Sequence, residues 1–334
     1  MKKGHLIGIL VVLIISSLVL YQELKTTNFT TLVSQVAKLN YFYIGLIILI
    51  VLFSYLCEAG ILQTLSQSKG VKKLIHFYRV PLIQSLFNAI TPLATGGQPA
   101  QLFALSQMGY SVGSATSLLM MKFIIYQIVV FFAYIITFVT KFNFIMVNYR
   151  ALSLVIILGF ILHISSIVFL FLVLFAYRPL KKITYLLSKA LARISNENRA
   201  KKFQVGLIKQ IDSYHHESKV LMKNKRALLI SLVLTILQIG CYFSVPFLTL
   251  LALNLQANYF DLLAMNILVV LFMATIPIPG ASGGAEFSFQ ALFKRYVVSN
   301  AQLVLGLFIW RFFTYFMGML LGIFAWIFKP AKSN

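Results

Sequence analysis

Along this chain apolar residues gather in long unbroken runs, with polar residues collected between the runs rather than alternating within them. Runs at 6–21, 41–66, 112–140, 152–177, 227–253 and 303–328 lie near or beyond the ~20 apolar residues that carry an α-helix across a bilayer. Three further apolar pieces, at 81–90, 262–276 and 287–293, are too short to cross. Backbone polar groups must be satisfied internally in hydrocarbon, so the pattern predicts an all-α integral membrane protein. The expected architecture is a polytopic helical bundle of about six full spans plus two broken-helix hairpins, in one transmembrane domain over 1–334. Lys2 and Lys3 precede the first run and no small-x-small cleavage site follows it, so this run is expected to remain as an anchor.

The two broken pieces share a spacing, Pro92-x-x-x-Gly96-Gly97 and Pro279-x-x-x-Gly283-Gly284. Each precedes a full run holding one cation, Lys122 at 26 residues after Gly96 and Arg311 at 28 after Gly283. Residues 41–140, with a re-entrant segment at 81–105, then form a first repeat unit, and 227–328, with a re-entrant segment at 262–297, a second. Threading the chain gives these units opposite orientations, the inverted repeat common among secondary transporters. Non-helical backbone survives in a membrane only inside protein or beside a wet cavity. Glycines permit close approach and unusual dihedrals, prolines end half-helices, and the N–H groups at the following helix start attract anions. The plainer alternative is a pair of kinks packed in the bundle.

Composition closes off other classes. The chain is 60% hydrophobic and 11% charged, with a mean hydropathy of +0.89, against roughly 25% charged in soluble domains. A soluble enzyme, a disordered tail and a disulfide scaffold are excluded, and Cys57 and Cys241 both lie in apolar runs. Basic residues number 29 against 7 acidic, a net charge of +22. Segment 178–226 alone holds 13 Lys/Arg against Glu197, Asp212 and Glu217. By the positive-inside rule it is a cytoplasmic loop, as is a basic hinge at 69–79, and both termini are expected in the cytoplasm. Leu180, Ile183, Leu187, Leu191 and Ile194 recur there at helical spacing, with Lys181, Lys182, Lys189 and Arg193 elsewhere on the wheel. Two readings stand: a helix lying on the anionic inner leaflet, or a hairpin packed under the bundle.

Buried charge supplies the candidate site. Lys122, Arg311, Glu58 and Glu286 fall inside apolar segments, where ionisable residues face a cavity or a partner. Structural ion pairs, such as Glu58 with Lys122, satisfy the cost in one reading, with Glu286 complementing the dipole of the helix it opens. In the other, the cations engage a headgroup phosphate and the acids an amine. Candidate substrate-binding residues are Glu58, Pro92, Gly96, Gly97, Gln98, Lys122, Pro279, Gly280, Gly283, Gly284, Glu286 and Arg311. His215-His216-Glu217 reads as a solvated face and His163 as a packed histidine. No nucleotide loop or Ser/Cys–His constellation is present, so no catalytic residue, metal or cofactor is expected.

Thr91-Pro92-x-x-x-Gly96-Gly97-x-Pro99 and Pro277-x-Pro279-Gly280-x-x-Gly283-x-x-Glu286 resemble the signature segments of the lysylphosphatidylglycerol synthase/flippase transmembrane region, as in the bacterial multiple peptide resistance factors. The basic loop and the Trp310-Arg311 pair also fit. The resemblance implies a bacterial cell-membrane protein that handles phosphatidylglycerol or its lysyl form and contributes to resistance against cationic antimicrobial peptides. In two-part members a separate cytoplasmic domain transfers lysine from lysyl-tRNA to the lipid. This sequence runs to Asn334 directly after its last apolar run, so that catalysis is not expected from it.

Three functions remain open: a lipid flippase or transporter, a phosphatidylglycerol lysyltransferase or its subunit, and a non-transporting scaffold. The expected partners are membrane phospholipid with an anionic headgroup and the inner-leaflet surface at 178–226. Nucleic acid is not expected outside the lysyl-tRNA of the second reading. A homo-oligomer is compatible with all three.

Overall fold

The computed structural model describes residues 29–66, 73–148, 150–175, 177–194, 197–276 and 278–327. The run at 6–21, Lys69 and Lys72 of the hinge, Pro277 and the residues after 327 lie outside them. The described chain is helical throughout, with no strand. In order come α1 (Phe29–Ala37), α2 (Tyr41–Leu65), α3 (Leu74–Ile90), α4 (Gly97–Gln107), α5 (Val112–Asn148), α6 (Arg150–Phe175) and α7 (Tyr177–Ile194). Then follow α8 (Glu197–Lys223), α9 (Lys225–Phe243), α10 (Val245–Ala252), α11 (Tyr259–Met273), α12 (Gly284–Phe293), α13 (Asn300–Arg311) and α14 (Met317–Ile327). Among the described residues four stretches are long and apolar enough to cross a membrane: Tyr41–Leu65, Val112–Lys141, Lys225–Ala252 and Asn300–Ile327.

Asparagines just outside the apolar runs start several of these helices. Asn40 accepts from the Phe42 amide at 3.2 Å, Asn224 from Ala227 at 3.1 Å, and Asn258 from Phe260 at 2.9 Å, each satisfying an orphan donor of a first helical turn. The α2 helix packs along α9, and α3 along α14. One end of the bundle is tied by the Asn40 amide on the Ala252 carbonyl at 2.8 Å and by a Lys141–Asp261 ion pair. At the other end Arg79 Nε donates to the Ala325 carbonyl at 2.6 Å and its Nη1 to Gln107 at 3.0 Å.

The local differences from the sequence expectation have physical causes. Segment 69–79 is not all hinge: α3 begins at Leu74, because Arg79 spends its charge on α14 and Gln107 instead of requiring solvent. The run 227–253 breaks at Ser244, since Pro246 has no N–H to continue the ladder. The last run is interrupted by a π-turn over Phe312–Phe316, and Tyr242 Oη donates to the Thr314 carbonyl there at 2.9 Å. The 178–226 segment is a helical hairpin whose second arm, α8, packs on α5. Its Leu221 is buried, and the Ser218 and Ser117 hydroxyls meet at 2.9 Å.

Candidate functional site

Helices α3 and α4 form one helix–turn–helix, entered from the Arg79 end of the bundle, and α11 and α12 form another, entered from the Asp261 end. Their connecting turns, Pro92–Ala94 and Pro279–Ala281, pack on each other inside the protein. They are also backbone copies. Thr91 (φ −122°, ψ 143°) matches Ile278 (φ −110°, ψ 143°), and Leu93 (φ 52°, ψ 23°) matches Gly280 (φ 62°, ψ 12°). Ala94 and Ala281 follow at φ 54° and 51°. The Ala94 amide donates to the Thr91 carbonyl at 3.2 Å and the Ala281 amide to Ile278 at 2.8 Å. Three of these left-handed positions carry side chains, a conformation that persists only where the surroundings impose it.

After the shared part the turns diverge, and the glycines divide by cause. Gly283 is left-handed at φ 86° with open space around it. Gly97 has an ordinary helical backbone, and its constraint is room: a Cβ there would sit 1.9 Å from Asn88 Oδ1. Gly284 is likewise crowded, by Ile276 at 2.7 Å, and Gly96 by Thr91 at 2.6 Å. Of the two roles expected of these glycines, unusual dihedrals belong to Gly280 and Gly283, and close approach to Gly96, Gly97 and Gly284 and also to Gly280.

Beside the first turn lies a buried polar cluster drawn from five helices. Lys122 on α5 pairs with Glu58 on α2. The other Glu58 oxygen accepts from Gln238 on α9 at 3.0 Å. Gln101 on α4 bridges, donating to Glu58 at 3.1 Å and accepting from Lys122 at 3.1 Å, and it also donates to Gln84 on α3. Glu58, Gln101 and Lys122 are all buried, so the charges are stabilised by one another and by amides, as buried ions must be.

The second turn has its own pair. Arg311 Nε donates to Glu286 Oε1 at 2.7 Å, and Nη2 to the Gly280 carbonyl at 2.9 Å. The other Glu286 oxygen accepts from the Gly283 amide at 2.6 Å, satisfying the N-cap donor at the start of α12. The guanidinium also lies 4.9 Å from the Tyr315 ring centroid and 5.6 Å from that of Trp310, within cation–π range. Arg311 thus holds the turn, the α12 start and the π-turn together.

The structure brings Glu58 and Lys122 together in one cluster and Gly280, Gly283, Glu286 and Arg311 in the other. Pro92 and Pro279 sit in the turns themselves, and Gly96 donates its amide to the Thr91 hydroxyl at 2.9 Å. Gln98 makes none of the cluster's bonds, and its neighbour Gln101 does. Gln84, Gln101, Gln238 and Tyr315 were not among the residues singled out in the sequence. The signal for the first three was an amide inside an apolar helix, and nothing in the sequence marked Tyr315.

Fold and site together define an all-helical, multi-pass membrane protein with two matched broken-helix units. The chain belongs to the family described as the lysylphosphatidylglycerol synthase TM region, which it matches over residues 6–322. It is also similar to a UPF0104 membrane protein of Archaeoglobus fulgidus, 24% identical across 98% of each chain.

Proposed function

We infer that this protein moves or presents phospholipid headgroups across the membrane interior, as a flippase or a related lipid transporter. The observation that carries this reading is the meeting of two non-helical turns from opposite ends of the bundle, each backed by a buried ion pair. The return helices α4 and α12 have 11 and 10 residues, roughly 15 Å at 1.5 Å per residue, about half of a ~30 Å hydrocarbon core. Broken helices of that reach, entering from opposite sides, match the design in which transporters place substrate near the midplane. Glu58–Lys122 and Glu286–Arg311 are then resting partners. A headgroup phosphate replaces the acids on the cations, and where the headgroup is lysylated its amines take the released carboxylates. The family description supports a phosphatidylglycerol-type lipid as substrate.

The test is reconstitution into vesicles carrying inner-leaflet fluorescent phosphatidylglycerol, lysyl-phosphatidylglycerol or phosphatidylcholine. Faster appearance of one of the first two at the outer leaflet, relative to empty vesicles, is the expected result. Rates equal to empty vesicles for every headgroup reject the reading. Lysyl-phosphatidylglycerol formed from added lysyl-tRNA would establish the synthase activity instead.

A further inference from the structure

The α7 helix of the α7–α8 hairpin leaves part of its apolar surface uncovered. On the side facing α8, Thr184 and Ser188 are 2% and 5% exposed, and Lys181 pairs with Asp212 at 2.7 Å. Beside that contact Ile183, Leu186 and Leu187 are 52%, 56% and 51% exposed. Lys182 and Lys189 are exposed as well. On the helical wheel they lie beyond Leu186, so the apolar arc is bounded on one side by the contact with α8 and on the other by cations.

An exposed stripe of this kind on a membrane protein requires a non-aqueous cover. Two features identify it. The stripe begins within a few residues of the end of α6, and the hairpin's other arm packs on α5 at the bundle end marked by Ser117. The cations beside it match an anionic surface, with long alkyl stems that lie along the acyl boundary while the ammonium groups reach the headgroups. We propose that α7 is an in-plane helix seated in an anionic phospholipid leaflet, with Ile183, Leu186 and Leu187 among the acyl chains and Lys182 and Lys189 among the phosphates. The role is separate from headgroup transport: α8 packs along α5, the helix bearing Lys122, so a leaflet that holds α7 also braces the hairpin against the cluster helix.

The test uses the full chain with Cys57→Ala and Cys241→Ala, the two native cysteines removed. A nitroxide is attached at Ile183→Cys or Leu187→Cys, positions where the exposed side chain can be replaced without loss of packing. The protein is reconstituted in vesicles rich in phosphatidylglycerol or made of phosphatidylcholine alone. Oxygen, which concentrates in acyl chains, and a water-soluble nickel chelate then compete to relax the spin. Oxygen is expected to dominate at both positions in the anionic vesicles. The ratio should fall roughly tenfold in phosphatidylcholine and in a Lys182→Gln/Lys189→Gln variant. Nickel dominance in anionic vesicles overturns the proposal. Protection from both agents also overturns it, since protein then covers the stripe, and equal oxygen dominance in both lipids removes the anionic leaflet as the partner.

Discussion

The hydroxyl of Tyr315, in the π-turn of the last span, donates to the backbone carbonyl of Ala89 at 2.9 Å. Ala89 lies in the final turn of α3, where helical carbonyls have no intrahelical partner. The same tyrosine packs so closely on Gly280 that a Cβ there would fall 2.4 Å from its hydroxyl, and its ring lies beside Arg311. One side chain therefore touches both broken-helix units. The π-turn adds a residue to the helical repeat and so re-aims the side chains beyond Arg311, a local distortion that recurs at functional sites.

Replacing Tyr315 by Phe removes the bond to Ala89 and leaves the ring contacts. Stability should drop by about 1 kcal/mol, the usual size of one net hydrogen bond. If the two turns act together, lipid translocation should fall by more than that loss explains. Thermal unfolding and translocation measured on the same preparation separate the effects, and full-rate transport by Tyr315→Phe would detach the residue from function.

The Glu58–Lys122 pair predicts strong non-additivity. Glu58→Gln leaves Lys122 buried without its carboxylate and should cost about 3–5 kcal/mol. Glu58→Gln with Lys122→Met removes both charges and should recover most of that stability while leaving transport abolished. A coupling energy near zero in the double-mutant cycle would show that the pair does not hold the bundle.

Two glycines should fail for different reasons. Gly97→Ala drives a Cβ into Asn88 and Gln84, and Gln84 belongs to the Lys122 cluster. Adding Asn88→Ala makes room and should restore much of the lost stability. Gly283→Ala meets no neighbour but must hold φ 86° with ψ −52°, a strained combination for an L-residue at about 1–3 kcal/mol, and no nearby truncation should rescue it. Rescue of both by neighbouring truncations, read by thermal unfolding, would refute the distinction.

The apolar runs were enough to read the all-helical membrane class, and the Pro-x3-Gly-Gly spacing located both turns. The spacing could not reveal that Leu93, Ala94 and Ala281 adopt left-handed backbone, because those residues rarely do so and only packing enforces it. Ion pairing was legible as an alternative for Glu58 and Lys122, whose sequence separation of 64 residues is bridged by helix packing alone. The amides of Gln84, Gln101 and Gln238 escaped notice because glutamine is tolerated in helices and gains meaning only when five helices converge. The π-turn has no sequence signature comparable to proline, so the role of Tyr315 is not legible in the sequence.

The excess of Lys and Arg on the hairpin predicts that its end of the bundle faces the cytoplasm. A cysteine at Lys209, an exposed position of α8, should resist a membrane-impermeant reagent added to intact cells. A cysteine at Gln256, exposed between α10 and α11, should react. The reverse labelling would invert the topology that the excess of Lys and Arg implies.

Headgroup choice is the sharpest consequence of paired charges. A lipid carrying only a phosphate can engage Arg311 or Lys122, but it leaves Glu286 or Glu58 buried and unpaired, at a cost of several kcal/mol. A headgroup with both phosphate and amine supplies a partner for both halves of a pair, so neither buried charge is left without a counter-ion. Lysyl-phosphatidylglycerol should therefore be translocated faster than phosphatidylglycerol by roughly tenfold or more, since 1.4 kcal/mol already corresponds to tenfold. Glu286→Gln should shrink that preference, because the amide needs no cation, while Arg311 keeps its attraction for phosphate. Competition between the two lipids in one vesicle population measures the ratio directly. Equal rates for both lipids in the unaltered protein, or a preference that survives in Glu58→Gln and Glu286→Gln alike, would show that the carboxylates do not select the headgroup.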